Sequence, residues 1–196
     1  MGKNKLKEYR GENIAILACS NWEFYTKGIP DNFKLWALNG LCQVESLQDR
    51  IDLLFDMHPW TKTSKDYPIP EYYSFLKKGK YNYFIVKPSY GYGDGLKNTI
   101  PYPLKAIMRE YGRNLKNSIP EMVLYAWWIG GVRNIYLYGI SNSEFTKYPE
   151  MGASLFQAMG FVRGRGINVY FVTDCDYDKD DDIYGYYKLT KKRIKE

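Results

Sequence analysis

His58 is the only histidine in the chain, so any chemistry that needs an imidazole near neutral pH must use it. It stands two residues after Asp56. If one strand runs through both, alternation puts the two side chains on one face, where a carboxylate can orient an imidazole base. The plainer reading is that His58 closes a strand end beside Pro59 and bonds locally. A further carboxylate, Glu144, follows the apolar run at 135–140 together with Tyr148 and Glu150. It could act in catalysis or hold a sugar hydroxyl; the alternative is a solvated loop side chain.

A second group of residues is suited to binding. Ser20 and Asn21 follow the apolar run NIAILAC, Asn39 follows FKLWAL, and Ser141 follows IYLYGI, whose penultimate residue is Gly139. Asn117 and Ser118 precede Ile119, Met122, Val123, Ala126 and Trp127, which recur at helical spacing until Gly130-Gly131. Either Asn117 or Ser118 can cap that helix, and Pro120 agrees with a helix start. The unpaired N–H groups of the same terminus could also receive a phosphate. Tyr148 completes the set, while Trp22 and Trp60 could stack a base. Trp36, inside an apolar run, reads as core.

Metal chemistry is not expected. The three cysteines, Cys19, Cys42 and Cys175, show no CxxC spacing, and one histidine is too few for a zinc site. The acidic run at 174–182 lacks the glycine and terminal glutamate of a calcium loop and reads as a solvated turn. No bound cofactor is expected either.

The elements that would position these residues alternate. Strands are expected at 13–19, 33–38, 51–57, 83–87, 135–140 and 169–173. Helices are expected at 41–50, 71–78, 104–111, from 117 or 118 to Gly130, and at 152–163. The segment 88–103, with SYGYGDG and then Pro101 and Pro103, reads as a mobile surface loop rather than a phosphate cradle, because its glycines lack the strand–turn–helix setting of a dinucleotide fingerprint. Near-continuous apolar strands between helices predict an α/β fold: a Rossmann-like, open, mostly parallel sheet with helices on both faces, in a single domain. In such sheets ligands sit at the C-terminal ends of the strands, which is where the polar residues fall.

The chain has 196 residues and is expected to divide into a charged N-terminal arm (1–12), the α/β domain (13–175) and a charged C-terminal tail (176–196). Its net charge of +6 allows nucleic acid as a partner without pointing to it, since both ends supply much of that charge. No apolar run approaches the roughly 18 residues that would span a bilayer. Without a signal peptide, an odd number of cysteines fits reduced thiols in a cytoplasm, that of the host if the chain is phage-encoded. Aromatic residues make up 17% of the chain, 20 of them tyrosines, and read mainly as packing. Oligomeric state is not legible.

The segment NSIPEMVLYAWWIGGVRNIYLYGIS resembles the nucleotide-sugar region of Rossmann-like bacterial sialyltransferases of the Campylobacter type and of the related motility accessory factor domains. The order NIAILACS, LWALNG, FDMHPW, NSIPEM, LYGIS, YPEMGAS, VRGRGI is similar to that of a set of small bacteriophage proteins. This resemblance implies a nucleotide or nucleotide sugar as ligand and a glycosyltransferase-like activity. Its phosphates would lie on the Ser20 turn and the Asn117/Ser118 helix start, its base or ribose near Asn39, and proton transfer would fall to His58 and Asp56. The chain departs from the pattern where Ser141 replaces the acid after LYGI, and no histidine follows His58 where the sialyltransferases have one. Two other readings therefore stand beside the enzyme: a non-catalytic protein that sequesters a nucleotide signal, and a DNA-modification or DNA-binding accessory protein.

Overall fold

The structure, a computed structural model, describes residues 12–19, 26–57, 76, 84–86, 99–140 and 147–172. Seven strands form one sheet: β1 (Asn13–Leu17), β2 (Lys34–Leu38), β3 (Ile51–Asp56), β4 (Phe84–Val86), β5 (Thr99–Pro101), β6 (Asn134–Tyr138) and β7 (Asn168–Phe171). Their order is β5-β4-β3-β2-β1-β6-β7, and every pairing is parallel. The expected Rossmann-like α/β fold is the observed one.

The reason is burial on both sides. In β1 and β2 every residue after the first is buried, so consecutive side chains on opposite faces both leave water. Ile16 and Trp36 pair across β1 and β2 on one face, Ala15 and Leu35 on the other. Only a sheet covered by layers on both faces rewards such a sequence. Steps from β1 to β5 run one way across the sheet and steps from β5 to β7 run the other. Right-handed crossovers therefore place the two sets of connections on opposite faces.

Four helices are described: α1 (Glu45–Gln48), α2 (Leu104–Tyr111), α3 (Ser118–Ile129) and α4 (Pro149–Arg163), with a 3-10 turn at Asn39–Gln43 ahead of α1. The single helix expected at 41–50 is thus a 3-10 turn and one α turn, broken at the extended Val44. The segment expected as loop at 88–103 contains β5, so that expectation is corrected for 99–101. Proline at the end of a strand is tolerated there because β5 is an edge strand and its missing N–H breaks no ladder inside the sheet.

At one point the sheet ladder needs help. Between Leu35 and Trp36 the β2–β3 register slips by one residue. The Asp52 carboxylate fills the gap, accepting from the Leu35 N–H at 2.8 Å and from Lys34 Nζ at 2.7 Å. The Lys34–Asp52 pair is half open to water, which limits its worth to about 1 kcal/mol or less. Its main effect is to satisfy a backbone donor that the bulge would leave over.

Helix α3 is the inner helix of its layer. Trp127 and Trp128 are half-buried, but Glu121, Leu124 and Tyr125 are buried along with Ile119, Met122, Val123 and Ala126. Its covered surface is wider than the stripe the sequence spacing marks, because it packs against both the sheet and α4. Tyr125 meets Trp36 and Phe55 of the sheet, with ring centroids 5.8 and 5.5 Å away. Gly130 and Gly131, at φ 72° and 79°, then turn the chain into β6 through conformations a side chain would resist.

Cover is thinner at the β6–β7 end. Tyr136 and Tyr170 stack across the two strands at 5.1 Å, with Phe33 4.7 Å from Tyr136, and Tyr170 remains 42% exposed. Below them an amide ladder joins three strands, Asn168 to Asn134 at 2.9 Å and Asn134 to Asn13 at 2.8 Å.

Candidate functional site at the strand ends

The strand order reverses between β1 and β6, so the crevice that an open α/β sheet offers lies beyond the ends of these two strands. Ala18 continues β1 by donating to the Tyr138 carbonyl at 2.9 Å. The next residue of β6 is Gly139, buried and at φ 68°, so the chain leaves the strand in a left-handed turn without a side chain over the opening. The segments that follow, with Ser20 and Asn21 on one side and Ser141 and Glu144 on the other, lie outside the described residues. So does His58.

One strand further along, Leu38 of β2 is level with Phe55 of β3, so the residues after them, Asn39 and Asp56, end neighbouring strands at the same height. Both are buried, at 6% and 3% exposure. Asn39 is the one described residue other than glycine with positive φ, 38°. Asparagine bears this conformation better than most residues because its short amide bonds locally. The left-handed step is what lets β2 turn at once into the 3-10 segment at the sheet edge.

Asn117 and Ser118 reach the same edge by a different route. Helix α3 leads into β6, whose start sits beside β1's start: Arg133 and Asn134 donate to the Glu12 carbonyl at 3.0 and 2.9 Å. The C-terminus of α3 is therefore at the opposite edge of the sheet. Its 12 residues rise about 18 Å, roughly the length of a five-residue strand, which brings its N-terminus up to the strand ends. There Asn117 is the cap, its side-chain oxygen accepting from the Ile119 N–H at 3.1 Å. Ser118 is the first helical residue, and Pro120 lacks an N–H where the helix has no acceptor for one.

The approach to that terminus is fixed by Ser154 of α4, which is fully buried. Its hydroxyl donates to the Asn114 carbonyl at 2.7 Å and accepts from the Lys116 N–H at 3.2 Å. The Tyr111 hydroxyl donates to the Ser154 carbonyl at 3.3 Å. Tyr148 is the residue that precedes α4; its ring is 39% exposed, with Lys147 Nζ 5.2 Å from its centre.

Two residues that sequence reasoning passed over belong to this edge. Glu121 is 1% exposed in the first turn of α3. Tyr102, directly after β5, donates from its hydroxyl to the Glu121 backbone carbonyl at 3.0 Å. Burial, and then the Glu121 charge, push the Tyr102 phenol well above the ordinary tyrosine value, so it is held as a neutral donor. An acidic residue four places after the cap, set among apolar neighbours, was the available signal for Glu121. Nothing in its own segment marked Tyr102.

Three further residues are engaged within the fold itself. Trp36 is fully buried. Arg163 donates to the Val169 carbonyl and ties the end of α4 to β7. The Arg165 guanidinium lies 3.5 Å above the Phe161 ring and bonds the Phe161 carbonyl at 3.1 Å. Among the described residues, no group of three or more His, Cys, Asp or Glu side chains is placed to hold a metal ion. Nor is any helix among them long and apolar enough to cross a membrane.

Comparisons with family models, with curated proteins and with solved structures give no match to this chain.

Proposed function

We propose that this chain binds a nucleotide or a nucleotide sugar at the C-terminal edge of its sheet, in the manner of a glycosyltransferase. The observation that carries the reading is the meeting of three features at one edge. These are the reversal of strand order between β1 and β6, the capped N-terminus of α3, and the buried Asn39–Asp56 pair at the ends of β2 and β3. A helix N-terminus offers backbone N–H groups to a phosphate, and the end of the second strand is where such folds hold a ribose.

In a transfer reaction the acceptor oxygen would form a bond to the anomeric carbon while the bond from that carbon to the phosphate oxygen breaks. The proton of the acceptor would pass to a base, for which Asp56 and His58 are the sequence's candidates. The departing nucleotide would carry the negative charge, which donors at a helix N-terminus stabilise.

Sequestration of a nucleotide without turnover is the second reading, favoured by Ser141 standing where the resembling proteins have an acid. A thermal-shift screen of nucleotides and nucleotide sugars, with product analysis for each ligand that stabilises, separates the two. Turnover lost in His58→Ala supports the enzyme, and stabilisation without product supports sequestration. If no nucleotide raises the melting temperature, both readings are wrong.

A further inference from the structure

One run of positive charge lies inside the described fold rather than at the ends of the chain. From Lys105 to Lys116 stand four cations, Lys105, Arg109, Arg113 and Lys116, against one carboxylate, Glu110, and all five are exposed. Elsewhere among the described residues arginine is tied to the fold. Arg50 donates to the Thr26 and Ile29 carbonyls, Arg133 pairs with Glu12, and Arg163 and Arg165 bond the Val169 and Phe161 carbonyls. Arg109, by contrast, makes one exposed contact, with its neighbour Glu110 at 3.3 Å. Among the described residues, no carboxylate lies within ion-pair distance of Lys105, Arg113 or Lys116.

Lys105 and Arg109 are one turn apart on α2 and project from one side of it, with about 6 Å between Cβ atoms. The helix ends at Gly112, whose φ of 104° turns the chain into the next loop. Arg113 and Lys116 sit on that loop, which is held to α4. The Asn114 amide donates to the Gln157 side chain at 2.6 Å, and the Lys116 N–H donates to Ser154 Oγ at 3.2 Å. These cations therefore stand on a fixed backbone, and Lys116 immediately precedes the Asn117 cap of α3. Helix stability does not call for them. Helix α2 has no acid in its first turn, where Lys105 opposes the macrodipole, and Lys105 and Arg109 repel at their i, i+4 spacing.

Exposed cations on a fixed ridge, with one carboxylate among them, complement a polyanion. The rest of the surface selects which. An anionic membrane also requires apolar side chains that insert. The large exposed ones, Tyr148, Phe156, Tyr170 and Val172, all lie outside 104–117, while Ile107 and Tyr111 of α2 are buried. A single strand is held by bases stacked on aromatic rings, and Tyr111, the aromatic residue of this run, faces the core. A row of backbone phosphates is the partner that charge alone can hold. We propose that the segment 105–116 is a contact surface for the phosphate backbone of duplex DNA, bound mainly by charge and so with little sequence preference. This surface does not depend on the nucleotide reading above.

The test is fluorescence anisotropy of a short labelled duplex of mixed sequence, titrated with the full chain from about 50 to about 200 mM salt. Both ends of the chain carry lysine as well, so the wild-type salt slope belongs in part to them. A quadruple variant isolates the ridge: Lys105→Gln, Arg109→Gln, Arg113→Gln and Lys116→Gln together. It is expected to reduce the slope of log affinity against log salt by about 3.6, which is about 0.9 for each phosphate. At the lowest salt it should bind at least about tenfold more weakly. All four positions are exposed, so its melting temperature should match that of the wild type. Glu110→Gln removes the one carboxylate and is expected to bind about threefold more tightly. A quadruple variant with the wild-type slope assigns the binding to the chain ends and overturns the proposal. A wild-type chain that leaves the duplex unbound at the lowest salt overturns it too, whether or not it binds vesicles of anionic lipid. Tighter binding of a single strand of the same sequence overturns the assignment to duplex. No gain in Glu110→Gln overturns it even where the quadruple variant fails to fold.

Discussion

The buried polar side chains of this protein divide by whether they pin a loop or lie at or near the strand ends. Ser154 is of the first kind, since one hydroxyl serves the Asn114 carbonyl and the Lys116 N–H and so sets the start of α3. Ser154→Ala would leave both groups to find other partners in a buried place. We expect a loss of about 1–3 kcal/mol in chemical denaturation; an unchanged midpoint would show that water replaces the hydroxyl. Asn39, Asp56 and Glu121 are of the second kind. The sequence displayed Asn39 and Asp56 because each ends an apolar run. It hid Glu121, because an acid early in a helix reads equally as a solvated partner of the helix dipole. Its burial depends on what packs over α3, which no local pattern reports.

Among the elements, α3 carries the most consequence. It is the inner helix of its layer, and its capped end is the proposed phosphate seat. Asn117→Ala removes the acceptor for the Ile119 N–H and should cost about 1 kcal/mol of stability, read from the shift in urea midpoint. If phosphate sits on the same terminus, this variant should also bind nucleotide more weakly than its lost stability explains. Retained affinity would place the phosphate elsewhere. Helix limits were legible where glycine marks them, at Gly112 and Gly130. Strand β5 was not. Three residues with a terminal proline carry no periodic signal, and they pair only because β4 presents a free edge.

For the molecule as a whole, the buried tyrosines predict its behaviour in alkali. Burial raises Tyr102, Tyr111 and Tyr138 above the ordinary value of 10.0. In the unfolded chain these phenols lose their protons near that value, while the native state still holds them. The unfolded state then binds fewer protons, so stability is intact below about pH 10 and falls as pH rises through the folded values. Melting temperature should therefore drop steadily above pH 10, and less so in Tyr102→Phe than in wild type. A melting temperature level to pH 11.5 would contradict the burial of these groups. Fold class was set by the sequence alone. Strands of consecutive apolar residues separated by helical segments can bury both faces in few ways other than a doubly covered parallel sheet. Which polar residues are buried toward one edge of the sheet was decided only in three dimensions. Asn39 and Glu121 are 82 residues apart, and what brings them to one edge is the crossover from β5 to β6, a long-range choice made by packing rather than by any local sequence signal.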